Sequence, residues 1–212
     1  VGCLLGVSEA FRPFDPAQSA AFVRAHYGIE GPYFLFSGRW EPRKNIAQVI
    51  RCYARLVAER QVDDLRLVMV GTRGWKMESI FEELDRLGSL RERVVVTGFV
   101  PDEDLAPIYA HASMFVYPSL LEGFGLPPLE AMQCGVPVIT SNTSSLPEVV
   151  GDAGITVSPT DADALCQAMV TLLRDSERSR DLARRGRERA ATFSWDRCAA
   201  ETLQAYRRAL DS

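Results

Sequence analysis

Short uninterrupted apolar runs alternate along this chain with longer stretches whose apolar residues recur every three to four positions. The runs lie at residues 33–36 (YFLF), 67–70 (LVMV), 94–96 (VVV), 114–117 (MFVY) and 136–139 (VPVI), with a last short one at 155–157 (ITV). None alternates apolar with polar. Each therefore predicts a strand buried on both faces, as in a parallel sheet joined by helical crossovers. Between the first two runs, Ile46, Val49, Ile50, Tyr53, Leu56 and Val57 fall on one face of a helix spanning 44–59. The next interval repeats the arrangement with Met77, Ile80, Phe81, Leu84 and Leu87, and the one after it with Leu105, Ile108 and Tyr109. Strand, helix, strand in this recurrence predicts a doubly wound α/β domain with helices on both faces. After residue 157 the pattern is wholly helical, over 161–173, 176–192 and from Trp195 onward, where Ser194 is a suitable N-cap and Asp196 lies in the first turn. Ahead of the first run, a Pro-punctuated segment precedes a helix that starts at Asp15-Pro16 and stops near Gly28. The reading divides the chain into a linker remnant, 1–15, and one domain, 16–212, whose residues 193–212 are a helical extension.

Composition narrows the classes. With 212 residues, 47% of them hydrophobic, the chain can bury a substantial core. A formal charge of −4 gives no global field attractive to a polyanion, so nucleic acid is not an expected partner. The five cysteines (Cys3, Cys52, Cys134, Cys166 and Cys198) are odd in number and lack ligand spacing. Reduced thiols in a cytoplasm are expected, not a disulfide framework or a zinc site. No apolar run approaches the roughly 20 residues needed to cross a bilayer, and residues 1–7 lack the basic start of a signal peptide. The abrupt beginning suggests a piece of something longer. The arginines of 174–189 are interleaved with Asp175, Glu177, Asp181 and Glu188, which reads as a solvated helix face. The alternative for that face is contact with an anionic membrane surface, which would hold the protein at the inner side of the membrane.

The chemistry collects at the carboxyl ends of the predicted strands, each followed by small or turn-forming residues: Ser37-Gly38, Gly71-Thr72, Thr97-Gly98, Pro118-Ser119 and Ser141-Asn142. Ligands of open α/β sheets bind in the crevice outside those ends. The densest stretch is 120–138, LLEGFGLPPLEAMQCGVPV. Pro127 and Pro128 suit a first helical turn, predicting a helix over 127–134 whose amino end faces the crevice. Gly123 and Gly125 can take positive φ and present backbone amides, which with the helix dipole form an anion site. Glu122 and Glu130, the latter placed on the first turn, would repel a phosphate unless they had another task, such as accepting hydrogen bonds from paired hydroxyls. A ligand carrying both phosphate and vicinal diols, hence ribose and hexose, reconciles the two features. The plainer alternative makes Glu130 a complement to the helix end and Glu122 a solvated loop residue. Arg39, in the loop after the first strand, and Lys44, at the start of the next helix, can reach a diphosphate across the same crevice.

The segments GRWEPRKN, VMVGTRGWK, the long run from TGFVPDEDL to GDAGITVSP, and FSWDRCAAETLQAYRRAL, in this order, resemble the C-terminal donor-binding domain of retaining glycosyltransferases of the GT-B fold, in the large family numbered four. The resemblance covers nearly the whole chain, and its most specific element is the E-x7-E pair Glu122 and Glu130. It implies a Rossmann-like sheet, the C-terminal half of a GT-B fold. It also implies that Arg39 and Lys44 neutralise the diphosphate of a nucleotide sugar, that Glu130 holds the ribose hydroxyls, and that Glu122 contacts the transferred sugar. Backbone amides of Gly123, Phe124, Gly125 and Leu126 would serve sugar and phosphate. Gly38 belongs to the same rim, and Gly71 with Gly98, Phe99 and Val100 would edge the base. No metal or other cofactor is implied, since Arg and Lys stand in for the cation that stabilises a leaving diphosphate. GDP-mannose is the favoured donor, a saccharide or lipid-linked molecule the acceptor, and surface-polysaccharide synthesis the setting. The N-terminal acceptor domain of the family is absent from these residues. The competing reading is a non-catalytic nucleotide-sugar-binding module of a multidomain polysaccharide protein. His26 and His111 are expected at helix ends without ligand roles, Trp40 and Trp75 in crevice loops, and Trp195 as a packing anchor for the last helix.

Overall fold

The computed structural model describes residues 4–59 and 64–210; Cys3 and the first residues of the expected linker lie outside them. Six strands form one parallel sheet: β1 (Tyr33–Ser37), β2 (Arg66–Val70), β3 (Val94–Gly98), β4 (Met114–Tyr117), β5 (Val138–Ser141) and β6 (Ile155–Val157), in the spatial order β3-β2-β1-β4-β5-β6. Strands β1, β4 and β5 are buried at every position, as unalternating apolar runs require. The edge strands differ from the expectation. Val96 of β3 and Thr156 of β6 are exposed, because an edge strand has a neighbour on one side only.

The helices are α1 (Pro16–Tyr27), α2 (Ile46–Ala58), α3 (Glu78–Arg86), α4 (Asp102–His111), α5 (Leu126–Gln133), α6 (Leu146–Val150), α7 (Ala162–Arg174), α8 (Ser176–Ala190) and α9 (Trp195–Leu210). Right-handed crossovers from β1 outward in the two directions place α2 and α3 on one face and α4 and α5 on the other. Accordingly α2 packs on α3 and α7, while α5 packs on α4 and α8. The Asp15 carboxylate caps α1 by accepting from the Ala17 and Gln18 amides, and Gly28 ends that helix at φ 64°. Ser194 caps α9 as expected, its hydroxyl accepting from the Arg197 amide at 3.1 Å. Two of the α8 cations pair locally, Arg184 with Asp181 and Glu188, and Arg185 with Asp152.

Two corrections bear on function. The single helix expected over 44–59 is broken: Pro42–Lys44 form one 3-10 turn, and Asn45 takes the left-handed conformation at φ 57° before α2 begins. Asn tolerates that conformation, and its side-chain amide donates to the Pro118 and Pro159 carbonyls at 3.2 and 2.8 Å. The break changes helical phase, so Lys44 leaves the surface of α2 and turns inward, 6% exposed. Helix α5 begins and ends one residue earlier than the expected 127–134, which moves Glu130 from the first turn to the second.

Candidate functional site

Strand order reverses between β1 and β4, so their carboxyl ends flank the crevice of the fold. There the inward Lys44 ammonium donates to Glu122 Oε1 at 2.7 Å and to the Tyr117 hydroxyl. The other oxygen of Glu122 accepts from Arg43 Nη1 at 3.1 Å, and Arg43 Nε donates to Glu41 at 2.8 Å. Arg39 joins the far side of Glu41 at 3.7 Å with its side chain 63% exposed. Three cations and two carboxylates thus form one chain of contacts, ending in an arginine open to solvent. Burial alone would raise the Glu122 carboxyl, but hydrogen bonding from Lys44, Ser119 and Tyr117 together with the Lys44 charge outweighs it and holds the group below the usual carboxylate range. Lys44 moves below the ordinary lysine value, because burial outweighs what Glu122 returns and Arg43 faces it as a like charge.

Glu130 lies apart from this network. Its carboxylate accepts from the Tyr109 hydroxyl at 3.0 Å and borders a hollow of about 420 Å³ lined by Gly6, Phe11, Asp102, Leu126 and Trp195. Burial pushes its carboxyl up to about 7; the Tyr109 bond opposes this and the negative charge of Asp102 adds to it. The two corners meet through one aromatic cluster. Phe115 lies between Tyr109 and Tyr117, with ring centroids 5.3 and 5.6 Å away, so the phenol of each corner is braced by the same ring.

The loop from 119 to 125 is suspended by hydroxyls. Ser144 accepts from the Glu122 amide at 3.0 Å, Ser145 donates to the Glu122 and Phe124 carbonyls, and Thr143 donates to the Leu120 carbonyl. Among the described residues, the amides of Gly123, Phe124, Gly125 and Leu126 give no hydrogen bond to another protein group. Gly125 stands at φ 120°, and a Cβ there would meet Leu146 Cδ2 at 2.9 Å. Gly123, by contrast, is not in the left-handed region, so its use is the open space around it, where a Cβ would meet nothing within 4 Å. Gly38, at φ 142°, lies directly over the Lys44 side chain and the Tyr117 ring.

Gly71, Gly98 and the exposed Phe99 line a second hollow, of about 470 Å³, together with Trp40, Arg73 and Phe81. Val100 departs from the expected rim set: its side chain is 4% exposed and belongs to the core, so only its backbone can serve a ligand. Trp40 is buried and Trp75 exposed, and Trp195 is 52% exposed, which makes it a wall of the Glu130 hollow and not a packing anchor. Sequence reasoning did not single out Glu41, Arg43 or Tyr117, nor the three hydroxyl residues 143–145. TSNTSS, running over the end of β5, was the available signal, since consecutive hydroxyl residues at a strand end commonly bond nearby backbone. Among the described residues, no group of three or more His, Cys, Asp or Glu is placed to hold a metal ion, and no helix is long and apolar enough to cross a membrane.

Known proteins agree with this architecture. The O-antigen chain mannosyltransferase B of Escherichia coli is 40% identical over 203 residues, covering 96% of this chain and 53% of that protein. The MMP alpha-(1->4)-mannosyltransferase of Mycolicibacterium hassiacum is 36% identical over 173 residues, or 80% of this chain and 41% of the relative. The chain therefore spans about half the length of such relatives. Among solved structures, sucrose-phosphate synthase of Thermosynechococcus elongatus superposes with a TM-score of 0.80 at 31% identity, over 100% of this chain and 52% of that one. Anabaena HepE, solved in complex with UDP and glucose, has a TM-score of 0.81 at 23% identity over 94% of this chain and 55% of its own, a likeness of fold. The sheet is thus the Rossmann-like half of a GT-B fold, and with residues 22–189 matching the family described as glycosyl transferases group 1, the chain belongs to that family.

Proposed function

We propose that this chain is the donor half of a retaining hexosyltransferase, binding a nucleoside-diphosphate sugar with GDP-mannose favoured. The observation that carries the reading is the convergence of Arg39, Lys44 and Glu122 in one network at the strand-order reversal, beside the amino end of α5 with its unbonded loop amides. In this reading the diphosphate lies over Gly38, where the Lys44 ammonium, the α5 dipole and the Arg39 guanidinium offset its charge without a metal ion. Glu122 accepts from hydroxyls of the transferred sugar. Glu130, one aromatic ring away, accepts from the ribose, and the hollow of Gly71, Gly98 and Phe99 takes the base. The departing phosphate oxygen removes the proton of the incoming hydroxyl, so no strong protein base is needed on this half. We place acceptor recognition, of a saccharide or a lipid-linked molecule in surface-polysaccharide synthesis, in a further domain of a longer protein at the cytoplasmic side of the membrane. The names of the mannosyltransferase relatives support the sugar, and their greater length supports the further domain.

Calorimetric titration with GDP, UDP, ADP and their sugars tests the reading, at pH 8 so that Glu130 is ionised. One nucleotide family is expected to bind at micromolar to millimolar strength, and Glu130→Ala to cost about 1–3 kcal/mol by removing a hydrogen bond to a charged group. Unchanged affinity in the variant would remove Glu130 from the site. A longer protein that binds the donor yet transfers nothing would favour the non-catalytic module.

A further inference from the structure

Lys44 is divided between two tasks if the donor reading above holds, on which this inference rests. One of its protons goes to Glu122 and one to Tyr117, while a diphosphate over Gly38 would draw the same ammonium. A buried carboxylate beside a dianion is strongly disfavoured unless another cation stays with it. Arg43 is placed to be that cation. It reaches the Glu122 oxygen that Lys44 does not touch, at 3.1 Å, and its other contacts are to protein groups: Nε to Glu41 at 2.8 Å and Nη1 to the Leu121 carbonyl at 3.1 Å. Its own carbonyl accepts from the Leu120 amide at 2.7 Å, tying the 3-10 turn to the Glu122 loop. The ionisable groups facing Glu122 are Lys44, Arg43 and Tyr117, with Glu41 behind Arg43.

We propose that Arg43 is a positioning residue that holds Glu122 in place as an anion by itself, so that Lys44 can turn its charge to the diphosphate when the donor arrives. The two cations thus divide the labour: a planar fork fixed among carboxylates and carbonyls, and a single mobile ammonium for the ligand.

A double-mutant cycle on nucleotide affinity tests this, with GDP, UDP, ADP and inorganic pyrophosphate as probes and Arg43→Gln, Glu122→Gln and the double variant as proteins. At pH 8, Arg43→Gln is expected to weaken binding about tenfold, because Glu122 then keeps Lys44 to itself; in the Glu122→Gln background the same change costs less than about twofold. Arg43→Lys, which preserves a cation without the fork, is expected to restore most of the affinity. An equal loss in both backgrounds would mean that Arg43 touches the phosphates itself and overturns the proposal, as does a neutral Arg43→Gln. Wild-type protein that binds none of the four probes overturns the donor reading and this inference together, whereas a wild type that binds and a cycle that fails overturns only the inference.

Discussion

Glu122 and Glu130 stand eight positions apart on one loop and helix, yet the fold gives them opposite charge habits. Glu122 collects Lys44 and Arg43, one on each oxygen, and is held ionised. Glu130 has a single phenol and a carboxylate neighbour in an apolar hollow, and is held near neutrality, titrating at about 7. Burial is common to both. Which of its consequences prevails depends on how many positive donors reach the oxygens, and at the Glu122 corner the Asn45 break supplies one by delivering Lys44 there.

The contrast is most severely strained by removing a cation. Lys44→Ala should lower unfolding stability by about 3 kcal/mol, the low end for breaking a buried pair, because Arg43 remains on Glu122; denaturant midpoints measure it, and adding Glu122→Gln should recover part of the loss. Next comes pH. The folded value of Glu130 lies above its unfolded one, so its stabilising contribution is complete below about pH 4.5 and is lost as pH rises through about 7. Glu122 has the reverse sign: its contribution is present above about pH 4.5 and is lost as pH falls through its depressed value. Wild type should therefore lose about 2–3 kcal/mol between pH 4.5 and 8 relative to Glu130→Gln, whereas Glu122→Gln should flatten only the acid limb. Equal acid limbs in wild type and Glu122→Gln would erase the distinction between the corners. A smaller effect is due from Tyr109→Phe: a loss of about 1 kcal/mol for one hydrogen bond and a Glu130 titration displaced further upward, readable by carboxyl NMR. Smallest is Arg39→Gln, at an exposed position, where stability should shift by less than about 0.5 kcal/mol while nucleotide affinity falls. A stability loss like that of Lys44→Ala would place Arg39 in the structural network and not on the ligand side.

The fold was legible because fully buried parallel strands admit only apolar residues: YFLF and MFVY could be nothing else once helices of regular period lay between them. The edges were less so, since Val94–Gly98 carries a buried strand's composition while facing a single neighbour. In the candidate site, Arg39, Lys44 and Glu122 were expected from their places beside strand ends, and the structure links them through Glu41 and Arg43. Arg43 and Tyr117 escaped for a physical reason. Arg43 stood just ahead of the helix expected to begin at Lys44, where the chain instead makes a 3-10 turn that ends at Asn45, and Tyr117 looked like one more strand residue, though its hydroxyl lies at the end of β4 against Lys44. Gly123 and Val100 show the converse limit, where residue type allowed a conformation or exposure that the packing did not use.

A Cβ on Gly71 would lie 2.0 Å from the Gly38 carbonyl oxygen, so the turns leaving β1 and β2 press main chain against main chain. Such a seam cannot be widened by swapping a side chain. The floor under the strand ends is therefore fixed by main chain, and variation near it is left to exposed side chains such as Phe99 and Trp75.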